Sequence, residues 1–197
     1  MSRVEDQTRE KILLSALTLF SEKGISKTSV NEVAYHAGVT RITVYRYFPE
    51  KKELVRETFL RIERLFQNGL AAMKQNPQAD CESILNQIGE SLSTLPRSDV
   101  FERVDELKRL YPDVYSSIQE VRTATLNGIF EHLFTMAERQ GLLRPGLNRS
   151  IAQAVFWELT INVFNNPRLK SLGLSDAELY RTLTDILKHG FFKSNAT

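Results

Sequence analysis

Six residues in one short run, Arg41, Ile42, Thr43, Tyr45, Arg46 and Tyr47, bring together guanidinium groups, hydroxyls and methyls. A guanidinium can grip O6 and N7 of guanine through two parallel hydrogen bonds, and a methyl can meet the C5 methyl of thymine. Tyrosine hydroxyls and a nearby ammonium, here Lys51, can donate to phosphate oxygens. The candidate chemistry is recognition of duplex nucleic acid. It needs an element that presents these groups on one face.

The run sits in AGVTRITVYRYF, residues 37–48, whose β-branched and aromatic residues favour a strand on propensity alone. A lone strand would leave its backbone groups unpaired, and no other segment reads as a partner for it. The helical reading has a mechanism. Thr40 follows Gly38-Val39 and can cap a helix beginning at Arg41. Val44 and Phe48 then fall four apart on one face, suited to packing, while Thr43 and Arg46 project on the other. Upstream, Ile12, Ala16, Leu19 and Phe20 form the stripe of an amphipathic helix that Gly24 closes. Thr28 and Ser29 stand at the start of the next helix, where Ser29 and Glu32 match a capping box, and Val30, Val33 and Ala34 give its apolar face. A short helix after a Gly-containing turn after an amphipathic helix is a helix-turn-helix, whose second helix enters the major groove with its N-terminal residues at base edges. Arg41, in the first turn, is the expected base reader. Arg46 reaches either a base or a phosphate, Ile42 and Thr43 offer methyls, and Thr28 and Ser29 combine capping with a possible phosphate contact.

Residues 8–54 resemble the DNA-binding domain of the TetR family, the tetracycline-repressor-like bacterial regulators. The matching pattern runs through Thr8-Arg9-Glu10-Lys11-Ile12-Leu13, Ala16 to Gly24, Thr28-Ser29-Val30-Asn31-Glu32-Val33-Ala34, Ala37-Gly38-Val39-Thr40, Thr43 to Phe48 and Lys51-Lys52-Glu53-Leu54. Tyr45, Tyr47 and Lys51 match family positions that contact phosphates. The resemblance implies a homodimer on a palindromic double-stranded DNA operator, with a pocket in each C-terminal domain for a small-molecule effector that releases the DNA. It thus implies a repressor. Position 42 is often glycine in the family and is Ile42 here, so the operator is not expected to be that of the relatives. If Lys51 and Arg46 both meet phosphates in each half of a dimer, the four charges predict a log K against log salt slope of about −3.6.

The rest of the chain reads as helix throughout, giving an all-α fold with a division at 1–52 for DNA binding and 53–197 for effector binding and dimerisation. Pro49-Glu50-Lys51-Lys52-Glu53-Leu54 opens a helix that extends to Asn76, with Val55, Phe59, Ile62, Phe66 and Leu70 as its stripe. Further helices are expected from Asp80 to before Pro96, around Phe101 to Leu107, from Asp113 to Gln140, over 148–165 and over 176–192, the last opened by Ser175 and Glu178. Residues 148–165 are apolar around most of their circumference, which demands cover on more than one side. With 176–192 they suit a partner chain on the second side, burial in a monomer core being the alternative. Phe156, Trp157, Glu158 and Asn162 are the candidate effector-pocket residues, against the reading of the aromatics as core and the polar pair as solvent-facing.

Composition narrows the classes. Of the chain's 197 residues, 42% are hydrophobic and 25% charged, and the net charge is +2. Residues 1–61 hold 11 Lys/Arg against 8 Asp/Glu, so the positive excess lies where the nucleic-acid residues lie. One cysteine, Cys81, excludes an internal disulfide framework. His36, His132 and His189 show no metal-ligand spacing, and no residue pattern calls for a cofactor. No signal-like N-terminus or membrane-length apolar run is seen, so the expected location is cytoplasmic. No phosphate loop, nucleophile elbow or zinc motif supports an enzyme. The alternatives are a helical enzyme without a recognisable motif, and a DNA-binding regulator controlled by a protein partner.

Overall fold

The computed structural model describes residues 3–75, 103–162, 166–174 and 176–193, and among these no strand occurs. The helices are α1 (Arg3–Lys23), α2 (Val30–His36), α3 (Arg41–Tyr47), α4 (Lys51–Gln75), α5 (Arg103–Leu110), α6 (Pro112–Arg139), α7 (Arg149–Trp157), α8 (Pro167–Lys170) and α9 (Asp176–Phe191). The all-α expectation holds. The helix expected from Asp80, together with Cys81 and Ser175, lies outside the described residues. The chain divides into two compact units, Met1–Arg64 with Pro96–Arg122 and Leu65–Leu95 with Thr123–Thr197. This partition by contact differs from the expected partition by role at residue 52. The first unit takes in α5 and the start of α6 as well as the helix-turn-helix.

In the first unit α1 packs on α2, and α2 on α3. The anticipated stripe of α1 is buried, with Ile12 and Ala16 fully so, and Ser15 between them is buried as well. Gly24 closes α1 at φ 92°, a left-handed conformation that suits a residue without Cβ, and its amide donates to the Phe20 carbonyl at 2.9 Å. Val44 and Phe48 are 0% and 1% exposed, so α3 is anchored by the two residues that its spacing placed inward. A phenyl ring of this size buried so fully stabilises the unit by roughly 1.5–3 kcal/mol relative to leaving it exposed. On α4, Val55, Phe59 and Ile62 are buried as the stripe requires. Pro49 and Glu50 precede α4 rather than entering it. Glu63 is buried on the same helix, and Arg122 of α6 donates to its Oε1 from Nε at 3.0 Å and from Nη2 at 2.5 Å.

The second unit is built on an apolar cluster in which Leu126, Ile129, Phe130, Leu133 and Phe134 of α6 meet Ala152 and Phe156 of α7 and Leu187 and Phe191 of α9. The Phe130 ring lies 4.9 Å from that of Phe134 and 5.5 Å from that of Phe156, tilted in both pairs, as aromatic quadrupoles prefer. Leu70 of α4 packs so closely that a Cβ on Gly128 would stand 2.7 Å from its Cδ2. Asn148 caps α7 by accepting from the Ile151 amide at 3.1 Å. The helix expected over 148–165 is not uniform. After Trp157 the backbone opens into a π turn, Glu158–Asn162, and Thr160 Oγ1 donates to the Phe156 carbonyl at 2.7 Å. The extra hydroxyl donor competes for a carbonyl in the turn where the register changes.

Candidate nucleic-acid interface

The recognition helix is set from its N-terminus. Thr40 is extended (φ −80°, ψ 156°) and its Oγ1 accepts from the Thr43 amide at 3.1 Å, satisfying a donor that the first turn would otherwise leave open. The Thr40 and Thr43 hydroxyls also lie 2.9 Å apart. These hydroxyls thus serve the helix start, and the groups left to face outward are larger. Ile42 is 81% exposed. Arg41 lies over the Tyr45 ring at 5.2 Å, with Nη2 3.5 Å from the Tyr45 hydroxyl, and Arg46 lies over the Tyr47 ring at 5.4 Å. Stacking on an aromatic face restrains a guanidinium while leaving its donors outward. Among the described residues neither arginine pairs with a carboxylate. The face therefore carries two free positive charges around one aliphatic group.

Ser29 is exposed and caps α2. Its hydroxyl accepts from the Glu32 amide at 3.2 Å, and its own amide donates to Glu32 Oε2 at 2.8 Å, completing the capping box. Lys23 donates to Glu32 Oε1 at 2.8 Å. The Lys23 bond first, and then Ser29, hold the Glu32 carboxyl down at about 2 against an ordinary 4.5.

Two of the anticipated contacts point elsewhere. Thr28 is 1% exposed, and its hydroxyl donates to the Gly24 carbonyl at 2.8 Å and the Leu19 carbonyl at 3.2 Å. It ties the end of α1 to the start of α2 and is not the cap of α2, a role that belongs to Ser29 alone. Lys51 is half-buried with its Nζ donating to the Ile25 carbonyl at 2.6 Å. Burial pushes its pKa down, against the opposing pull of Glu106 and Glu32.

Residues that sequence reasoning did not single out join this region. Glu106 of α5 accepts from the amides of Ile25 and Ser26 and from the Ser26 hydroxyl. Burial raises its pKa, but the bonds from Ser26 and Ile25 outweigh this and hold it below the ordinary value. Arg103 donates to the Ser21 carbonyl at 2.9 Å. No local pattern flags contacts across some eighty positions. Tyr35, near the end of α2, is 90% exposed.

The anticipated effector-pocket residues do not share one environment. Phe156 belongs to the apolar cluster. Trp157 is half-buried and donates from Nε1 to Asn127 Oδ1 at 3.0 Å. Glu158 is exposed and lines an open groove of about 410 Å³ with Ser150, Ile151, Ala154, Val155 and Leu159. The side chain of Asn162 lies outside the described residues. No group of three His, Cys, Asp or Glu suited to a metal occurs among the described residues, and no described helix is long and apolar enough to cross a membrane.

Residues 12–58 match the family described as bacterial regulatory proteins, tetR family. The transcriptional regulator AcrR of Shigella flexneri is 38% identical over 86 residues, 42% of this chain and 38% of that protein. The transcriptional repressor BepR of Brucella suis is 29% identical over 146 residues, covering 70% of this chain and 69% of the relative. The aligned part of this chain thus spans well under half of the first relative and about two thirds of the second. Among solved structures, native NalD of Pseudomonas aeruginosa, the secondary repressor of the MexAB-OprM multidrug efflux pump, superposes with a TM-score of 0.60 at 25% identity, over 98% of this chain and 100% of that one. The helix-turn-helix geometry and the matched segment coincide, so residues 12–58 of the chain are similar to the tetR family of bacterial regulatory proteins, and the relatives are themselves named transcriptional regulators.

Proposed function

We propose that the protein is a repressor that binds a palindromic double-stranded DNA operator as a homodimer and is released by a small-molecule effector. In this reading residues 1–52 meet DNA, and residues 53–197 provide dimerisation and the effector site. The observation that carries it is the outer face of α3, where Arg41 and Arg46, without carboxylate partners among the described residues, stand on either side of an 81% exposed Ile42. Such a face suits a groove edged by phosphates and floored by base edges. Arg41 and Ile42 sit where base edges come closest. Ser29, Thr40, Thr43, Tyr45, Arg46 and Tyr47 border them and supply backbone contacts. For the dimer, α7 and α9 present Ile151, Val155 and Ile186 outward, an apolar surface that a second copy would cover. The names of the relatives support repression.

Selection of bound sites from random duplex DNA tests the reading. The expected product is a palindrome with half-site centres about 10 bp, or a small multiple of that, apart. Repeating the selection against a panel of small molecules should reveal one that lowers occupancy. Recovery of no consensus, or of an asymmetric single site bound by a monomer, would contradict the proposal.

A further inference from the structure

A line of contacts runs from a carboxylate on α4 to the outer face of α3. Glu57 Oε2 accepts from Nη2 of Arg9 on α1, and from Nη2 of Arg64 at 2.7 Å. The Arg9 guanidinium lies over the Phe48 ring, 5.4 Å from its centroid. The Phe48 ring is 6.3 Å from that of Tyr47, and Arg46 lies over the Tyr47 ring at 5.4 Å. Phe48 is also where α3 ends, its amide donating to the Val44 carbonyl at 2.9 Å. A second ion pair joins α1 to α4, with Arg61 Nε donating to Glu10 Oε1 at 2.5 Å. The two pairs differ in shielding, since the Glu10 side chain is 46% exposed and that of Glu57 only 16%. An exposed pair is worth little, whereas a shielded one is screened less and keeps its geometry.

We propose that Glu57 is a positioning residue for DNA recognition, holding Arg9 on the Phe48 ring and thereby setting the end of α3 and the Tyr47 and Arg46 side chains beside it. The inference rests on the DNA-binding reading above. A carboxylate repels phosphate, so any part that Glu57 takes in binding runs through the groups it holds. Burial raises its pKa, but the bonds from Arg64 and Arg9 outweigh this and keep it below the ordinary carboxylate value. The side chain is therefore charged at neutral pH. A guanidinium is planar, and a carboxylate at its edge with a ring on its face restrains both its plane and its position. α3 has only seven residues, capped by Thr40 at its start and ended by Phe48. In so short an element a shift at one end tilts the whole.

Charge and position predict opposite signs for one substitution. Removing a negative charge strengthens binding to any duplex if Coulomb attraction is all that changes. If Glu57 positions α3, Glu57→Gln weakens binding to the operator instead. Duplexes selected by the wild-type protein, and scrambled versions of them, serve as probes for the full-length chain. Glu57→Gln should lower operator affinity about tenfold and scrambled-duplex affinity less than about twofold, because base contacts need the helix in place while loose phosphate contacts do not. Glu10→Gln removes the same charge from the more exposed pair and should not lower operator affinity. Because Glu57 acts through Arg9, the double variant Arg9→Met with Glu57→Gln should bind the operator no worse than Arg9→Met alone.

Amide hydrogen exchange reads the hold on α3 without DNA. The Phe48 amide should exchange about tenfold faster in Glu57→Gln, while the Gly24 amide, bonded to the Phe20 carbonyl at the end of α1, keeps its rate. A loss of packing throughout the unit would speed both. If Glu57→Gln fails to fold, Arg9→Lys, which keeps a cation for Glu57 but loses the planar group over Phe48, replaces it in both arms. Unchanged or tighter operator binding, equal losses on both duplexes, or an unchanged Phe48 amide would overturn the positioning role. Failure of the wild-type chain to bind any duplex would instead overturn the DNA-binding reading and with it the positioning of α3 for DNA. The exchange arm would then still decide whether Glu57 holds the end of the helix.

Discussion

α3 and α7 begin alike and end in different surroundings. Each is started by a side-chain cap, Thr40 or Asn148, and each sets an isoleucine outward in its first turn, Ile42 at 81% exposure and Ile151 at 64%. Around Ile42 stand two arginines without carboxylate partners among the described residues. Around Ile151 stand Ala154, Val155 and Leu159, and the arginine of that turn, Arg149, is taken up by Glu131 at 2.6 Å and by the Phe134 ring at 4.9 Å. An exposed aliphatic group does not identify its partner. The charges beside it do: free cations suit a polyanion, while paired cations beside more hydrocarbon suit another protein surface.

The contrast can be broken most forcefully at its anchor. Phe48→Ala should cost the first unit about 3–5 kcal/mol and abolish operator binding, as followed by thermal melts and DNA titration. A variant that binds DNA normally would mean that α3 does not need its buried side. Next, Ile151→Asp should weaken self-association by about 2 kcal/mol or more in sedimentation experiments, if that face is the protein contact. The counterpart Ile42→Asp should leave self-association unchanged and lower operator affinity, so equal behaviour of the two variants would erase the distinction. Arg41→Ala should lose about 1–3 kcal/mol of preference for operator over scrambled DNA, and equal losses on both duplexes would remove Arg41 as a base reader. Ser29→Ala should destabilise the first unit by about 1 kcal/mol, measured by urea denaturation.

The smallest effect is a pH dependence. The Glu32 carboxyl titrates at about 2 in the fold against 4.5 ordinarily. A depressed carboxylate contributes stability that is fully present above pH 4.5 and is lost as pH falls toward 2. Glu32→Gln should therefore flatten the fall in melting temperature across that window and change little at pH 7 beyond the loss of its contacts. An unaltered acid limb would show that the capping box does not govern it.

What could be read from the sequence was mostly local. The caps Ser29 and Thr40 bond three positions along the chain, and the anchors Val44 and Phe48 lie one turn apart, so spacing reveals them. The left-handed Gly24 follows from a helix ending at a glycine. What could not be read was where polar side chains go when their partners are distant. Lys51 carries a family-like position and a charge suited to phosphate, yet its ammonium meets a carbonyl 26 positions away. Thr28 stands beside a cap and resembles one, but turns inward to α1. The π turn after Trp157 was hidden for a related reason. Apolar periodicity measures which face is buried and is nearly blind to one added residue per turn.

Trp157 has a practical consequence. It is the only tryptophan of the chain, half-buried, with its indole nitrogen bonded to Asn127 one residue before the backbone changes register. Its emission is an intrinsic optical reporter confined to the second unit, silent to events that touch only tyrosines on α3. A compound that shifts this fluorescence in the absence of DNA would be detected without any label, and Asn127→Ala would show how much of the signal that one bond sets.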